Sequence, residues 1–252
     1  MGFSKEKINE VEQVLKNALR HKFSNYNPEP ASMPFHTRLL GKDRLALFSF
    51  IHSLNTNFGT SIFEPVAVVL AKDNFQVAKS QAKAGDSIYE GAQVEIQKIM
   101  DSIATAEATP DKAKEIETIR KVCQKGEVRK VKLTKIDVFL QSKTGELFLF
   151  DLKSAKPNIG EFKGFKRTLL EWTAAILGSD PKAKINTVVA IPYNPYEPKP
   201  YMRWTMRGML DLDKELKVAH EFWDFIGGNG TYQDLLDCFE RVGIELRPEI
   251  DK

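Results

Sequence analysis

The chain has 252 residues, a hydrophobic fraction of 42% and a formal net charge of +3. This length and apolar content suit one large domain with a sizeable core, and they exclude a chain that is disordered throughout. The weak positive charge identifies no partner by itself, so an argument for nucleic-acid binding must rest on where the basic residues lie.

Cysteine usage and hydropathy narrow the class further. Cys123 and Cys238 are far apart in the chain, and they lack the spacing of a zinc centre. Two unpaired thiols fit the reducing cytoplasm, where we expect this protein to lie. No stretch reaches the roughly 18 apolar residues of a membrane span, so a membrane partner is not expected.

The first part of the chain is predicted to be helical. A helix over 4–22 begins with Ser4 as its N-cap. A second helix, over 42–57, is so rich in apolar residues that we expect it to be largely buried. Between the two helices we predict an irregular connector, because prolines interrupt it. These prolines are Pro28, Pro30 and Pro34.

Residues 74–124 are predicted to continue as helix with one short break. Glu95 lies among polar neighbours there, which indicates a half-exposed position. The segment 111–125 is dense in charge and poor in apolar residues, so it is predicted to be a solvated helix. Asp111 or Thr109 can serve as its N-cap.

Glu64 allows two interpretations. Ser61 and Glu64 have the spacing of a capping box, in which the glutamate reaches back to a backbone N–H. The same glutamate heads a strongly apolar segment, and a buried acid is often part of a functional site. The sequence leaves both roles open, and one residue could serve both.

Residues 129–153 are predicted to form a β-hairpin. The runs 129–140 and 147–152 are rich in β-branched and aromatic residues. Between them, Gly145 can take the left-handed conformation that tight turns require.

This hairpin brings three charged side chains together. Pairing around a turn near Thr144 places Asp137 opposite Asp151, and period-two alternation puts Lys153 on the face of Asp151. Carboxylates are hard ligands that suit Mg²⁺, and a lysine can orient the water that attacks a phosphate. The alternative is a surface hairpin whose Asp–Lys ion pair has no catalytic role.

After the hairpin we predict an irregular segment, a helix over 160–177 and a buried strand over 184–192. The helix begins with Lys163, Lys166 and Arg167. Cations near a helix N-terminus oppose its dipole, which favours a phosphate partner for this basic face. A solvated basic face without a partner is the alternative.

The loop 192–207 is rich in proline and aromatic residues, and it contains Arg203 and Arg207. Such a loop suits contact with DNA, packing over the core or a dimer interface. Two helices are predicted near 212–226 and 231–243. The glycine-rich turn between them has no phosphate-loop lysine, so a nucleotide cofactor is not expected.

The order of acidic and basic residues in the hairpin resembles a known signature. Asp137, followed by Asp151-Leu152-Lys153, is similar to the PD-(D/E)xK nuclease motif, with Ile136 in place of the usual proline. From about Met33 to the C-terminus, the chain resembles the TdeIII-type family of type II restriction endonucleases. The blocks that carry this resemblance are PFHTRLLGKDRLALFSF, SLNTNFGTSIFEPVA, FDLKSAKPNIGEFKGFKRTLLEW and IPYNPYEPKPYMRW.

The resemblance implies an α/β fold with a PD-(D/E)xK restriction-endonuclease-like core, in which helices flank a mixed central sheet. It implies that Asp137, Asp151 and Glu64 hold Mg²⁺ and that Lys153 is catalytic. Glu95 is the competing candidate for the helix carboxylate. It also implies a homodimer that cuts both strands of double-stranded DNA at a short palindrome of the GGNCC type.

We expect one nuclease domain, made of a helical part over 1–125, a catalytic part over 129–192 and a C-terminal part over 193–252. Residues of the later part of the chain are expected to contact DNA, namely Lys156, Asn158, Lys163, Lys166, Arg167, Arg203 and Arg207. The alternative functions are a PD-(D/E)xK repair or junction nuclease that ignores base sequence, and a DNA-binding protein without catalysis.

Overall fold

The computed structural model describes residues 2–26 and 33–250. The helices are α1 (Lys5–Ser24), α2 (Pro34–Leu40), α3 (Lys42–Asn57), α4 (Glu64–Ala71), α5 (Glu90–Ala104), α6 (Lys112–Arg120), α7 (Phe162–Ser179), α8 (His220–Gly227) and α9 (Thr231–Ile250). The strands are β1 (Val77–Ala82), β2 (Ser87–Tyr89), β3 (Val128–Lys130), β4 (Ile136–Gln141), β5 (Leu147–Leu152), β6 (Ile185–Ile191) and β7 (Leu216–Val218).

The central sheet is mixed and has the strand order β1–β4–β5–β6–β7. β4 pairs antiparallel with β1 and β5, whereas β6 runs parallel to both β5 and β7. The short strands β2 and β3 form a separate antiparallel pair. The predicted α/β class, with helices around a mixed central sheet, is confirmed.

The hairpin of β4 and β5 has the predicted register. Val138 on β4 pairs with Phe150 on β5, and the same register, continued by one residue, puts Asp137 opposite Asp151. Gly145 in the turn has a φ of +84°. Glycine adopts this left-handed conformation without steric cost, so the turn fixes the register.

The apolar run 129–140 is not one strand. Its first residues belong to β3, which pairs with β2, and residues 131–135 lie outside both sheets. The pattern of apolar residues alone could not reveal this change of partner, because both β3 and β4 have strand-forming side chains.

Both faces of the central sheet are covered by helices. Phe139 and Leu149 pack in an apolar cluster with α5, α6 and α7, whereas Val138 and Phe150 belong to a second cluster with α1, α4, α8 and α9. Successive side chains on a strand point to opposite faces, so β4 and β5 are buried on both sides. The site hairpin therefore lies in the middle of the molecule.

The helix predicted over 74–124 is wrong in its first part. β1 and β2 occupy this segment before α5 and α6 begin, so residues 1–125 are not an all-helical part. β1 is an edge strand, and Lys79 and Ser80 in its middle are exposed. A polar edge strand lacks the apolar alternation by which a strand is detected in a sequence.

Three other predictions differ from the structure. Pro34 begins α2, where its fixed φ suits the first helical position, whereas Pro28 and Pro30 lie outside the described residues. α3 is not largely buried, and Phe48 is 59% exposed, because this helix packs beside α2 rather than on the sheet. The helix predicted over 212–226 begins only at α8, since β7 precedes it.

Several helix boundaries are confirmed. Ser4 caps α1 by accepting a hydrogen bond from the N–H of Lys7. Asp111 caps α6 in the same way, by accepting from the N–H of Lys114. α7 and β6 lie close to the predicted ranges 160–177 and 184–192, and the segment between β5 and α7 is irregular as expected.

The hydropathy of the helices and the state of the two cysteines are further features of the fold. Among the described helices, none combines the length and the apolar character needed to cross a membrane. Cys123 and Cys238 are buried, free thiols, as two distant cysteines predict.

Four charged side chains form a buried cluster. Lys166 on α7 is 0% exposed, and its Nζ lies 2.5 Å from Glu115 Oε2 and 2.7 Å from Glu215 Oε2. Lys112 Nζ lies 3.0 Å from Glu215 Oε1. The predicted solvated helix over 111–125 and the predicted basic face are therefore wrong at these residues. Charge spacing along one helix cannot show that distant elements supply buried partners.

Lys166→Ala is expected to lower the free energy of unfolding by about 3–5 kcal/mol, because it leaves two buried carboxylates without their shared ammonium. Lys163→Ala is the matched control, since Lys163 is exposed on the preceding turn of α7. We expect the control to change stability by less than about 0.5 kcal/mol. Urea unfolding followed by circular dichroism measures both. Equal, small effects would show that the cluster adds nothing to stability.

Candidate active site

Asp137 and Asp151 lie side by side at one end of the hairpin. Asp151, on β5, is 2% exposed, and the hairpin register places its carboxylate opposite that of Asp137 on β4. Asp137 Oδ2 also accepts a hydrogen bond of 2.8 Å from the N–H of Leu152. The hairpin register and one backbone amide therefore hold the two carboxyl groups close together.

The proximity of these groups has an electrostatic cost. Burial, and then the charge of Asp151, raise the pKa of Asp137 to about 7. Burial also raises the pKa of Asp151, although Lys153 opposes this rise. A carboxyl pair that cannot easily carry two negative charges is a favourable place for a cation or a shared proton.

In metal-free buffer, this pair is expected to make stability depend on pH. The pKa of Asp137 rises from the ordinary 3.8 to about 7 on folding, so the folded protein binds more protons between these values. Stability therefore falls as pH rises from about 4 to 7, by on the order of a few kcal/mol. Urea unfolding in a chelating buffer measures this, and Asp137→Asn should show a smaller pH dependence. Identical curves for the two proteins would contradict the assignment.

Lys153 completes the group. Its Nζ lies 2.6 Å from Asp151 Oδ1 and 4.9 Å from the centre of the Phe165 ring. The N–H of Lys153 donates to the carbonyl oxygen of Ala190 on β6, which extends the sheet to this residue. The Asp–Lys ion pair of the alternative interpretation is present. Unlike the carboxylate of a surface pair, however, the Asp151 carboxylate is buried and lies beside a second carboxyl group.

Glu64 is buried next to this group. It is 2% exposed, and its Oε2 accepts a hydrogen bond of 2.9 Å from Gln81 Nε2. Burial raises its pKa, while hydrogen bonds from Gln81 and Thr60 and the charge of Lys135 oppose the rise. The predicted capping box does not form, because α4 continues directly from a π-helical turn over 58–63 and has no side-chain cap.

Gln81 links Glu64 to the aspartates, and sequence analysis did not identify it. Its Nε2 lies 2.9 Å from Glu64 Oε2 and 3.4 Å from Asp137 Oδ1. Its φ of +53° is left-handed, and it interrupts the ladder between β1 and β4. Uncommon backbone conformations cluster at functional sites, but the sequence gives no signal of one at a glutamine.

Glu95 has a different environment. It is half-exposed on α5, and it lines a cleft with Thr109, Asp111 and Thr118 on and before α6. The carboxylates whose charges act on Asp137 are those of Asp151 and Glu64. The geometry thus favours Glu64 over Glu95.

The carboxylates of the site are possible ligands of a divalent cation. Across residues 2–26 and 33–250, no group of three or more His, Cys, Asp or Glu side chains converges as a complete metal cage. Asp137 and Asp151 nevertheless supply adjacent hard oxygen ligands, and the positive charge near them is too small to balance two carboxylates. This set fits Mg²⁺, which binds through one or two carboxylates and keeps several waters.

Three of the residues predicted to contact DNA have protein partners. The ammonium of Lys166 is enclosed in the buried ion cluster and is not accessible to a phosphate. Arg203 pairs with Glu221. Arg167 donates a hydrogen bond of 2.7 Å to Gln97 Oε1.

The other predicted DNA contacts are more accessible. Lys156 is exposed, with its Nζ 5.0 Å from the centre of the Tyr196 ring. Asn158 is exposed and caps the short 3₁₀ turn before α7. Lys163 and Arg207 are also exposed. These four residues remain predicted contacts, and so do the partly exposed Arg167 and Arg203.

Comparison with known proteins gives first the class and then the family. The type II restriction enzyme MjaII of Methanocaldococcus jannaschii is 25% identical over 272 residues, which cover 96% of this chain and 72% of that enzyme. The type II restriction enzyme HgiCII of Herpetosiphon aurantiacus is 26% identical over 87% of this chain and 80% of its own length. These relatives are restriction endonucleases.

The family match covers nearly the whole chain. Residues 4–243 match the family described as "HinfI: Type II restriction endonuclease, HinfI". The chain therefore belongs to the HinfI family of type II restriction endonucleases. The resemblance to the TdeIII type is a narrower assignment, and it stays a prediction.

Proposed function

We propose that this restriction endonuclease makes magnesium-dependent double-strand cuts in DNA, with Asp137, Asp151 and Lys153 as its catalytic group. The placement of a buried carboxylate, a half-buried carboxylate and an ammonium together at one end of the central hairpin carries this proposal. Such a group is costly to bury without a ligand. The same arrangement supports membership of the PD-(D/E)xK superfamily.

Each residue has a distinct role in the proposed reaction. Asp137 and Asp151 bind the cation, and the N–H of Leu152 fixes the orientation of Asp137. Bound Mg²⁺ supplies Lewis-acid polarisation and offsets charge on the phosphoryl oxygens. Lys153 orients the attacking water, whose oxygen bonds to phosphorus as the bond to the leaving oxygen breaks. Glu64 adds negative charge next to the cation.

The proposed substrate is double-stranded DNA with a short palindromic site. The TdeIII-type resemblance favours a site of the GGNCC type. A palindrome suits a two-fold homodimer, in which each copy cuts one strand. The apolar side chains that α2 and α3 expose, such as Phe35 and Leu47, support a contact between copies.

Digestion of DNA of known sequence, with the fragment ends mapped, tests the nuclease and its site together. Discrete fragments that end at one palindrome support the proposal. A smear of random ends would favour the alternative of a repair or junction nuclease, and no cleavage at any divalent-metal concentration would favour a DNA-binding protein without catalysis. Light scattering after size-exclusion chromatography tests the homodimer.

Glu64→Gln is expected to lower the cleavage rate steeply, and higher magnesium should partly restore it, because one negative charge near the cation is lost. Glutamine keeps an acceptor for the Gln81 amide, so the fold should persist. In metal-free buffer the melting temperature should stay the same or rise, since burial already disfavours the Glu64 charge. The measurement is cleavage rate against magnesium concentration.

Glu95→Gln is the matched control, because it makes the same change on the half-exposed face of α5. We expect its magnesium curve to match that of the unaltered protein. A normal curve for Glu64→Gln with a shifted curve for Glu95→Gln would move the third carboxylate to α5. Two normal curves would leave Asp137, Asp151 and Lys153 as the whole site.

A further inference from the structure

Four lysines lie at the surface beside the carboxylate pair. We name Lys83, Lys130, Lys132 and Lys135 the basic edge, and all four are exposed. Their neighbour Arg129 pairs with Glu90. By contrast, Lys83, Lys130 and Lys132 form no ion pair within the described parts of the chain. Its positive charge is therefore available to a ligand.

The segment that carries three of these lysines is anchored to the protein. The N–H of Val131 donates to the carbonyl oxygen of Asp86 at 2.9 Å. Trp172 Nε1–H donates to the carbonyl oxygen of Thr134 at 2.8 Å. Val131 and Leu133 pack against the apolar core. The lysines thus project from a fixed backbone, which lowers the entropy cost of binding a rigid partner.

Lys83 meets this segment from the neighbouring strand. Ala82 on β1 pairs with Ile136 on β4, and the same register puts Lys83 opposite Lys135 just beyond both strands. Like charges opposite each other on paired strands are destabilising. Lys135 is close enough to Glu64 for its charge to lower the pKa of that carboxyl group. A ligand with closely spaced negative charges would offset the repulsion between the two lysines.

The basic edge has a suitable length for a nucleic acid. Lys132 precedes Asp137 by five residues. A chain spans at most about 3.6 Å per residue, so the two Cα atoms lie within about 18 Å. Phosphates on one strand of B-DNA follow every 3.4 Å or so along the axis. Lys132 is therefore close enough to Asp137 for both residues to act on one short stretch of DNA.

We propose that the basic edge binds the phosphodiester backbone of the substrate DNA on one side of the cleaved bond. This inference rests on the proposed function, because it places the cleaved phosphate at Asp137 and Asp151. Lysines act as point charges and contact any base sequence equally well. The basic edge therefore holds the duplex in position, and residues elsewhere read the bases.

The test compares two double variants. Lys83→Ala/Lys132→Ala removes two charges from the basic edge. Lys143→Ala/Lys184→Ala removes two exposed lysines from the other end of the central sheet, where the hairpin turn lies and β6 begins. Both have the same change in net charge. Fluorescence anisotropy measures the binding of a random-sequence DNA duplex at several salt concentrations without divalent metal, and melting temperatures check folding.

We expect the basic-edge variant to bind on the order of tenfold more weakly at low salt, with a salt slope smaller by about one unit per lysine. The control variant should retain the affinity and slope of the unaltered protein. If both variants bound DNA equally weakly, the loss of affinity would be an effect of net charge alone, and the inference would be overturned. Unchanged binding by both would overturn it as well.

Binding without metal separates this inference from the proposed function. If the unaltered protein cleaves DNA but the basic-edge variant binds like the control, the inference alone is wrong. If the unaltered protein cleaves no DNA at any magnesium concentration, but the basic-edge variant selectively loses binding, the proposed function is wrong. The basic edge would then remain a DNA-binding surface.

Discussion

Asp151→Asn is expected to abolish cleavage while leaving the fold and DNA binding intact. Asparagine has nearly the same shape, but it lacks the charge that holds a cation against Asp137. At saturating magnesium the rate constant should fall by more than about 1,000-fold. Conversion of supercoiled plasmid to nicked and linear forms, with enzyme in excess, measures this rate. Substantial cleavage by the variant would remove Asp151 from the catalytic group.

Asp180→Asn is the matched control for this prediction. Asp180 is exposed beyond the end of α7, where its Oδ1 accepts a hydrogen bond of 3.0 Å from the N–H of Lys182. The same chemical change at this distant position should leave the rate unchanged. In metal-free buffer, the melting temperature of Asp151→Asn should equal or exceed that of the unaltered protein, because one of two adjacent carboxyl groups is gone.

Lys153→Ala is expected to lower the cleavage rate constant by about 100-fold or more. Its ammonium lies 2.6 Å from Asp151 Oδ1 and is held above the ring of Phe165. Removal of this group leaves both carboxylates in place, so magnesium affinity should fall far less than in Asp137→Ala. Rates measured across a magnesium titration separate the two effects.

Lys217→Ala controls for the loss of a lysine above an aromatic ring. Lys217 Nζ lies 4.9 Å from the centre of the Phe225 ring, the same distance as in the Lys153–Phe165 contact. It lies on β7, away from the hairpin, so its loss should not change the rate. If Lys153→Ala mainly weakened magnesium binding, Lys153 would be a structural partner of Asp151 without a role in orienting water.

The hairpin could be predicted from the sequence because its geometry is local. A single turn sets which residues of β4 and β5 face each other, so the spacing of Asp137, Asp151 and Lys153 follows from their numbers. The approximate bounds of α7 and β6 were predictable for a similar reason, since apolar periodicity and length decide them. One of the four blocks that carry the family resemblance, residues 150–172, runs from β5 into α7.

The remaining features depend on distant partners. Lys166 looked like part of a basic surface because Glu115 and Glu215, which neutralise it, come from other elements. β1 was missed because an edge strand needs only one apolar face and can be polar elsewhere. Glu64 looked like a capping residue because the π-helical turn that leads into α4 has no pattern in the sequence.

The left-handed backbone at Gln81 sets stability against activity. A residue other than glycine held in such a conformation costs about 1–3 kcal/mol. Glycine would remove this cost, but it would also remove the amide that joins Glu64 to Asp137. Relief of the strained backbone would therefore favour glycine, whereas the proposed role of the carboxylates in DNA cleavage would favour glutamine. In a directed-evolution experiment, we therefore expect a trade-off between stability and activity at this residue.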